Sequence, residues 1–327
     1  GQGIDRLSPI ARKVEREGTP NRRNVVLVFM ESMSANLMGT FGSDKKLTPY
    51  LDSLYQQSLS FSHFYSSGIH TNHGIYSTLY SFPAIMKRNA MKGSVIPVYS
   101  GLPSVLQENG YCNLFFMTHE SQYNNMNAFL RTNGFDEIYA QENYPSEKVV
   151  NSFGVQDDFM YQYALPILNE RAGTGNPFFS VLLSISNHPP YVIPPYFHPH
   201  SDVLEEQIVE YADWSIRQFM QAAEKQPWFD NTIFVFLGDH GKMVGTPECE
   251  MPQSYNHIPL MIYGKDIKPG VYDGFGGQVD VSPTLLGLLN ISYLQNNFGV
   301  NLLEEERPCM FFTADNLIGA RDSVNMF

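Results

Sequence analysis

The sequence predicts an α/β protein with a mainly parallel central sheet flanked by helices and a small C-terminal α+β extension. Short apolar runs such as NVVLVFM (24–30), PFFSVLLSI (177–185) and IFVFL (233–237) have the composition of strands covered on both faces. Segments with helical spacing alternate with them, which is the signature of a parallel sheet. A chain of 327 residues with 43% hydrophobic content can also bury a large core.

Taken in order, residues 1–23 read as a juxtamembrane linker. Residues 1–24 carry six basic and three acidic residues, against a net charge of −12 for the whole. No run reaches the roughly 18 apolar residues of a membrane span, so any membrane anchor is expected outside this sequence. The main folded domain is expected over 24–264. Its first strand starts at Asn24 and ends at Glu31-Ser32, and LTPYLDSLYQQS (47–58) has the Thr-Pro start of a helix. The strand FSHFYSS (61–67) leads to Gly68-Ile69-His70-Thr71, and 72–82 reads as a helix before Pro83. LPSVLQENGY (102–111) is a helix closing on Gly110, and NLFFM (113–117) is a strand ending at Thr118-His119-Glu120.

DDFMYQYALPILNE (157–170) reads as a helix interrupted by Pro166. The 177–185 strand ends at Ser186-Asn187-His188-Pro189-Pro190, and a long amphipathic helix runs from about Leu204 to Glu224. The 233–237 run ends at Gly238-Asp239-His240-Gly241, and a loop to Asn256-His257 precedes the strand IPLMIYG (258–264). Residues 265–327 are expected as the extension packed on the 24–264 domain. They begin Gly-rich (GVYDGFGGQ) and offer a helix at 282–290 and a strand at 309–314.

The acidic balance argues against a nucleic-acid-binding surface, which needs a basic stripe. Cys112, Cys249 and Cys309 show no metal spacing, and Cys112 reads as a small buried hydrophobe.

Four apolar runs end in groups that bind metals or move protons: Glu31, His119, His188 and the pair Asp239-His240. In an open α/β sheet, ligands bind outside the carboxyl ends of the strands, so these residues are expected in one cleft. Glu31, Asp239 and His240 offer two oxygens and one nitrogen to a divalent cation, with Thr71 a candidate for a further position. Metal binding makes an alcohol more acidic. Thr71 also precedes a helix whose N-terminus favours an anion. An activated alkoxide beside an anion site suits phosphoryl or sulfuryl transfer through a covalent intermediate. Ser67 and Ser77 are rival nucleophiles, and His188 and His257 are candidates for holding substrate, moving protons or binding a second metal.

NVVLVFMES (24–32), GIHTNHG (68–74), NGF (133–135), SNHPPY (186–191), YADWSIRQF (211–219), NTIFVFLGDHG (231–241), NHIPLMIYG (256–264) and DVSPTLLGLL (280–289) follow one another in this order. The set resembles the alkaline phosphatase superfamily, in particular the sulfatase-like branch with lipoteichoic acid synthases and phosphoglycerol or phosphoethanolamine transferases. The resemblance implies that Glu31, Thr71, Asp239 and His240 surround one divalent cation and that Thr71 is the nucleophile; the oxygen-rich donor set suits Mn or Mg, with Zn as the third choice. The resemblance gives His188 contact with the transferred group and His257 a role with substrate or a second metal; His119 and Asn124 join them as substrate-binding candidates.

The implied enzyme sits on the extracytoplasmic face of a membrane, periplasmic or extracellular. It moves a phospholipid headgroup through a phosphothreonine-type intermediate to a glycan or lipid acceptor. A phosphodiester or sulfate ester hydrolase and a catalytically silent binding domain are the alternatives. Two departures narrow the choice. Where lipoteichoic acid synthases carry a Trp and an Arg, this chain has Tyr123-Asn124-Asn125-Met126, so an Arg clamp on phosphate is missing there. True sulfatases need a modified Cys or Ser followed closely by Pro and Arg, and GIHTNHGIYS has neither feature.

Overall fold

Successive side chains of a strand point to opposite faces, and in Asn24–Met30 (β1) both faces are buried. Val25, Leu27 and Phe29 pack into one apolar layer, while Val26, Val28 and Met30 pack into the other. This is the arrangement that an unbroken apolar run requires. The computed structural model describes residues 12–68, 70–81, 101–241, 256–295 and 299–305, and the backbone of 309–314 and 317–322. Residues 1–11 of the expected linker, Phe82 at the end of the expected 72–82 helix, and Cys249 lie outside the described residues.

The central sheet contains β1, Leu59–Tyr65 (β2), Cys112–Phe116 (β3), Glu137–Tyr139 (β4), Phe178–Leu183 (β5), Thr232–Gly238 (β6), Leu260–Tyr263 (β7) and Gly270–Gly277 (β8). Their spatial order is β8-β2-β7-β6-β1-β5-β3-β4. Only β7 runs against its neighbours. On one face lie Thr71–Tyr80 (α2), Leu102–Glu108 (α3), Met126–Thr132 (α4) and Val281–Leu288 (α7). On the other lie Pro49–Gln57 (α1), Asp157–Ala172 (α5) and Leu204–Ala223 (α6). The result is a three-layer sandwich of the kind the sequence predicts.

Several elements differ from expectation. Pro166 does not interrupt α5, because Met160, Tyr161, Ala164 and Leu168 bury its inner face and hold the helix through the proline. The division after Gly264 falls inside the sheet: β8 pairs with β2 and forms its edge. With only one strand neighbour and four glycines in GVYDGFGG, it lacks the apolar run by which inner strands are recognised. Residues 12–23 are likewise not a free tether. Arg12–Val14 pairs antiparallel with Tyr293–Gln295, and Arg16 meets Glu304 at 2.7 Å. No helix among the described residues is long and apolar enough to cross a membrane.

Candidate active site

Strands β1, β2, β3, β5 and β6 run in one direction, so their carboxyl ends meet at one edge of the sheet. The loops that leave those ends surround a cavity of about 640 Å³, whose lining includes Thr71, His119, Asn124, His188 and His240. The structure therefore brings together five of the expected residues, of which His119, His188 and His240 are strand-end groups. Glu31 and Asp239 form the floor beneath them, 1% and 0% exposed.

The tightest part of the site joins the ends of β1 and β6 to the start of α2. The Thr71 hydroxyl lies 3.1 Å from Glu31 Oε2 and 3.0 Å from Asp239 Oδ2. His240 Nε2 is 3.3 Å from Glu31 Oε1 and 3.6 Å from Asp239 Oδ1. One ligand atom from each of Glu31, Asp239 and His240 lies within 4.8 Å of the others. Backbone and hydroxyl groups hold the two acids in place. Ser184 Oγ accepts the Glu31 N–H at 2.9 Å, and the Ser32 N–H donates to Asp239 Oδ1 at 2.9 Å. Ser32 reaches that carboxylate by adopting a φ of 53°, a left-handed conformation rare outside glycine.

The electrostatics follow from packing two acids and an imidazole out of water. Burial raises the Glu31 pKa, but its hydrogen bond with Asp239 and the adjacent His240 charge outweigh this and bring it to about 2. Burial and then the Glu31 charge drive Asp239 well above the usual carboxylate range. For His240 burial works against the charge, yet Asp239 and Glu31 overcome it and lift the imidazole to about 10. Two acids this close cannot both ionise without a neutralising charge.

The donor set fits a divalent cation. One hydroxyl hydrogen on Thr71 cannot serve both carboxylate oxygens that lie within 3.1 Å of it. Three oxygen-bearing side chains and one imidazole match a hard to borderline metal. Among the described residues, no Lys or Arg lines the cavity to do the same work.

Three strand-end histidines share a geometry. The Nδ1 atoms of His119, His188 and His240 lie 3.0, 2.7 and 2.9 Å from the carbonyls of Glu120, Pro189 and Gly241. A carbonyl only accepts, so each Nδ1 carries the hydrogen and leaves Nε2 for a ligand. For His240 that nitrogen faces the two acids. Burial lowers the His119 pKa, which favours its neutral form. Around the cavity His119 and Tyr123 rings lie 4.9 Å apart, Tyr123 and Phe153 6.4 Å, and Phe153 and His188 4.4 Å. Asn124 and Asn125 have φ of 52° and 59°, a conformation that asparagine tolerates, and they turn the loop that presents Tyr123. Asp157 Oδ1 accepts the N–H groups of Ile185 and Ser186 at 2.8 and 3.0 Å, which fixes the approach to His188.

His257 is not brought to the cavity. Its Nε2 lies 2.9 Å from the Ser62 carbonyl, and its ring stacks on Tyr65 at 5.3 Å and meets Phe41 edge-on at 5.0 Å. The rival hydroxyls Ser67 and Ser77 are buried and absent from the lining. Sequence reasoning missed Ser184, inside an apolar run, and Phe153, in a polar loop. No residue pattern marked either.

Comparison with known proteins places this geometry. The sulfatase family profile matches residues 23–291. The lipoteichoic acid synthase-like protein YvgJ of Bacillus subtilis (strain 168) is 26% identical over 325 residues, covering 89% of this chain and 51% of that protein. Lipoteichoic acid synthase of Staphylococcus aureus (strain USA300) is 23% identical over 337 residues, covering 89% and 49%. The chain thus spans about half the length of the curated relatives it matches. Among solved structures, an alkaline phosphatase superfamily protein from Vibrio parahaemolyticus superposes with a TM-score of 0.88 at 28% identity, covering 98% of this chain and 80% of its own. The lipoteichoic acid synthase LtaP from Listeria monocytogenes shares the fold with a TM-score of 0.80 at 23% identity, covering 96% and 85%. On the matched length and the shared fold, the chain belongs to the sulfatase family of the alkaline phosphatase superfamily.

Proposed function

We propose that this chain is the catalytic domain of an extracytoplasmic, metal-dependent phosphotransferase. It takes a substituted phosphate from a phospholipid donor, of phosphoglycerol or phosphoethanolamine type, and passes it to a hydroxyl on a glycan or lipid. The observation that carries this reading is the Thr71 hydroxyl, set between two buried carboxylates at the first residue of α2, in the lining of the cavity. The lipoteichoic acid synthases among the relatives support a phosphoglycerol-type transferase. A sulfate ester is disfavoured, because the loop has Thr with neither Pro nor Arg behind it.

Glu31, Thr71, Asp239 and His240 would hold the cation, Mn or Mg with Zn as the third choice, and when bound it supplies charge neutralisation and a more acidic hydroxyl. In the first half-reaction the bond from Thr71 Oγ1 to phosphorus forms as the bond from phosphorus to the lipid alcohol breaks. The α2 N-terminus favours the anionic phosphate. His188 relays the Thr71 proton through Nε2 to the leaving alcohol. In the second, the acceptor oxygen bonds to phosphorus, the Thr71 bond breaks, and the same relay returns the acceptor's proton to Thr71.

Intact-protein mass spectrometry tests this, with Mn and either phosphatidylglycerol or phosphatidylethanolamine as donor. A mass gain present in the native protein and absent from Thr71→Ala is expected, and its size names the headgroup. Headgroup release without acceptor would mark water as the second substrate and the protein as a hydrolase. Neither adduct nor release from either lipid would overturn the proposal.

A further inference from the structure

Gln278 follows the edge strand β8 and opens the turn Gln278–Asp280 before α7. It is fully buried. Its Nε2 donates to the carbonyls of Gly238 and Asp239 at 3.1 and 2.7 Å, and its Oε1 accepts the Ser67 N–H at 3.1 Å. Both amide hydrogens and the amide oxygen are therefore engaged. The flipped orientation would set an oxygen against two carbonyls and an NH₂ against an N–H, so chemistry fixes this one.

The partners belong to the two loops that build the reactive cluster. Gly238-Asp239 continues β6 into the ligand pair, and Ser67 continues β2 towards Thr71. In the sheet these strands are not neighbours, because β7 lies between them. The Gln278 side chain ties the loops together beyond the sheet edge. The first turn of α2 packs directly on this tie. A Cβ on Gly74 would lie 2.4 Å from the Asp239 carbonyl oxygen and 3.1 Å from Gln278 Nε2. Farther along, Ser282 Oγ of α7 donates to the Thr78 carbonyl of α2 at 2.6 Å.

We infer that Gln278 is a positioning residue: its buried amide sets the separation between the Thr71 loop and the Asp239 carboxylate, and through it the geometry of the four-donor cluster. The catalytic arm of its test rests on the reading of Thr71 as nucleophile, and the metal-binding arm does not.

Gln278→Leu removes all three bonds at similar size. Gln278→Glu keeps the acceptor for Ser67 but opposes the two carbonyls. Each is compared with the native protein in calorimetric titration with Mn, in thermal melting without cation, and in kcat and KM for headgroup release from a short-chain phospholipid. Mn affinity should fall about tenfold, and kcat about 100-fold for a displacement near 1 Å. Donor KM should stay within about twofold, because the ring wall around the cavity comes from other loops. A lowered melting temperature with native Mn affinity and native kcat would reduce Gln278 to packing and overturn the inference. If neither variant folds, Gly74→Ala presses on the same tie, and unchanged Mn affinity there has the same consequence. A native protein without turnover would count against the Thr71 reading and leave the Mn titration to decide the role of Gln278.

Discussion

Gly154 is the position where one methyl group should disturb both the fold and the site. It has a φ of +95°, and a Cβ built on it would lie 1.6 Å from the Thr118 carbonyl oxygen and 3.1 Å from the His119 Cα. Restoring van der Waals separation requires the two backbones to part by about 1.5 Å or more. That breaks the 3.3 Å bond from the Val155 N–H to the Thr118 carbonyl and the 2.9 Å bond from the Thr118 hydroxyl to the Phe153 carbonyl. Each loss costs about 1 kcal/mol, and the left-handed backbone adds about 1–2 kcal/mol for a residue with a Cβ. Gly154→Ala should therefore lose about 3 kcal/mol, a fall in Tm of roughly 4–5 °C for a domain of this size. Because His119 and Phe153 flank the displaced backbone and line the cavity, kcat/KM for a short-chain donor should fall about 100-fold, chiefly through KM. Gly154→Asn separates the two causes: it eases the backbone term by about 1 kcal/mol and keeps the clash. Differential scanning fluorimetry and steady-state headgroup release provide the measurements. A Gly154→Ala protein melting within about 1 °C of native, with kcat/KM within twofold, would refute the reasoning.

Two further outcomes follow from the charge arrangement. Chelation should lower Tm, and Mn restored at about 100 times its Kd should return about 2.7 kcal/mol of stability, measured by melting; Asp239→Asn should abolish the Mn-dependent rise. The Arg171 hydrogen bond, against the opposing effect of burial, holds Glu137 down at about 2. A carboxyl with a lowered folded pKa contributes stability above its ordinary value near 4.5, and that stability is lost as pH falls towards 2. Melting curves of Arg171→Met and native protein should therefore differ near pH 7 and converge near pH 2, and a constant difference across that range would contradict the assignment.

The parts of the site legible in the sequence share one physical property. A strand covered on both faces has no packing use for an ionisable group, so Glu31 after NVVLVFM and Asp239-His240 after IFVFLG stand out against their runs. His257 sits beside an apolar run in the same manner and is placed elsewhere. It precedes β7, the antiparallel strand, and strand direction leaves no mark on a run's composition. An isolated bridge to Tyr65 then holds its backbone in the sheet region, with its ring between Tyr65 and Phe41. The edge strand β8 was hidden for the opposite reason, since one covered edge and several glycines make it read as a loop. Gln278 was least legible of all. Among the described residues its side chain bonds to backbone groups of Gly238, Asp239 and Ser67, and backbone partners impose no residue pattern on the loops they belong to. The ionisable groups of the candidate site can thus be found where apolar runs stop. The neutral groups that set their spacing emerge only when the loops are seen side by side.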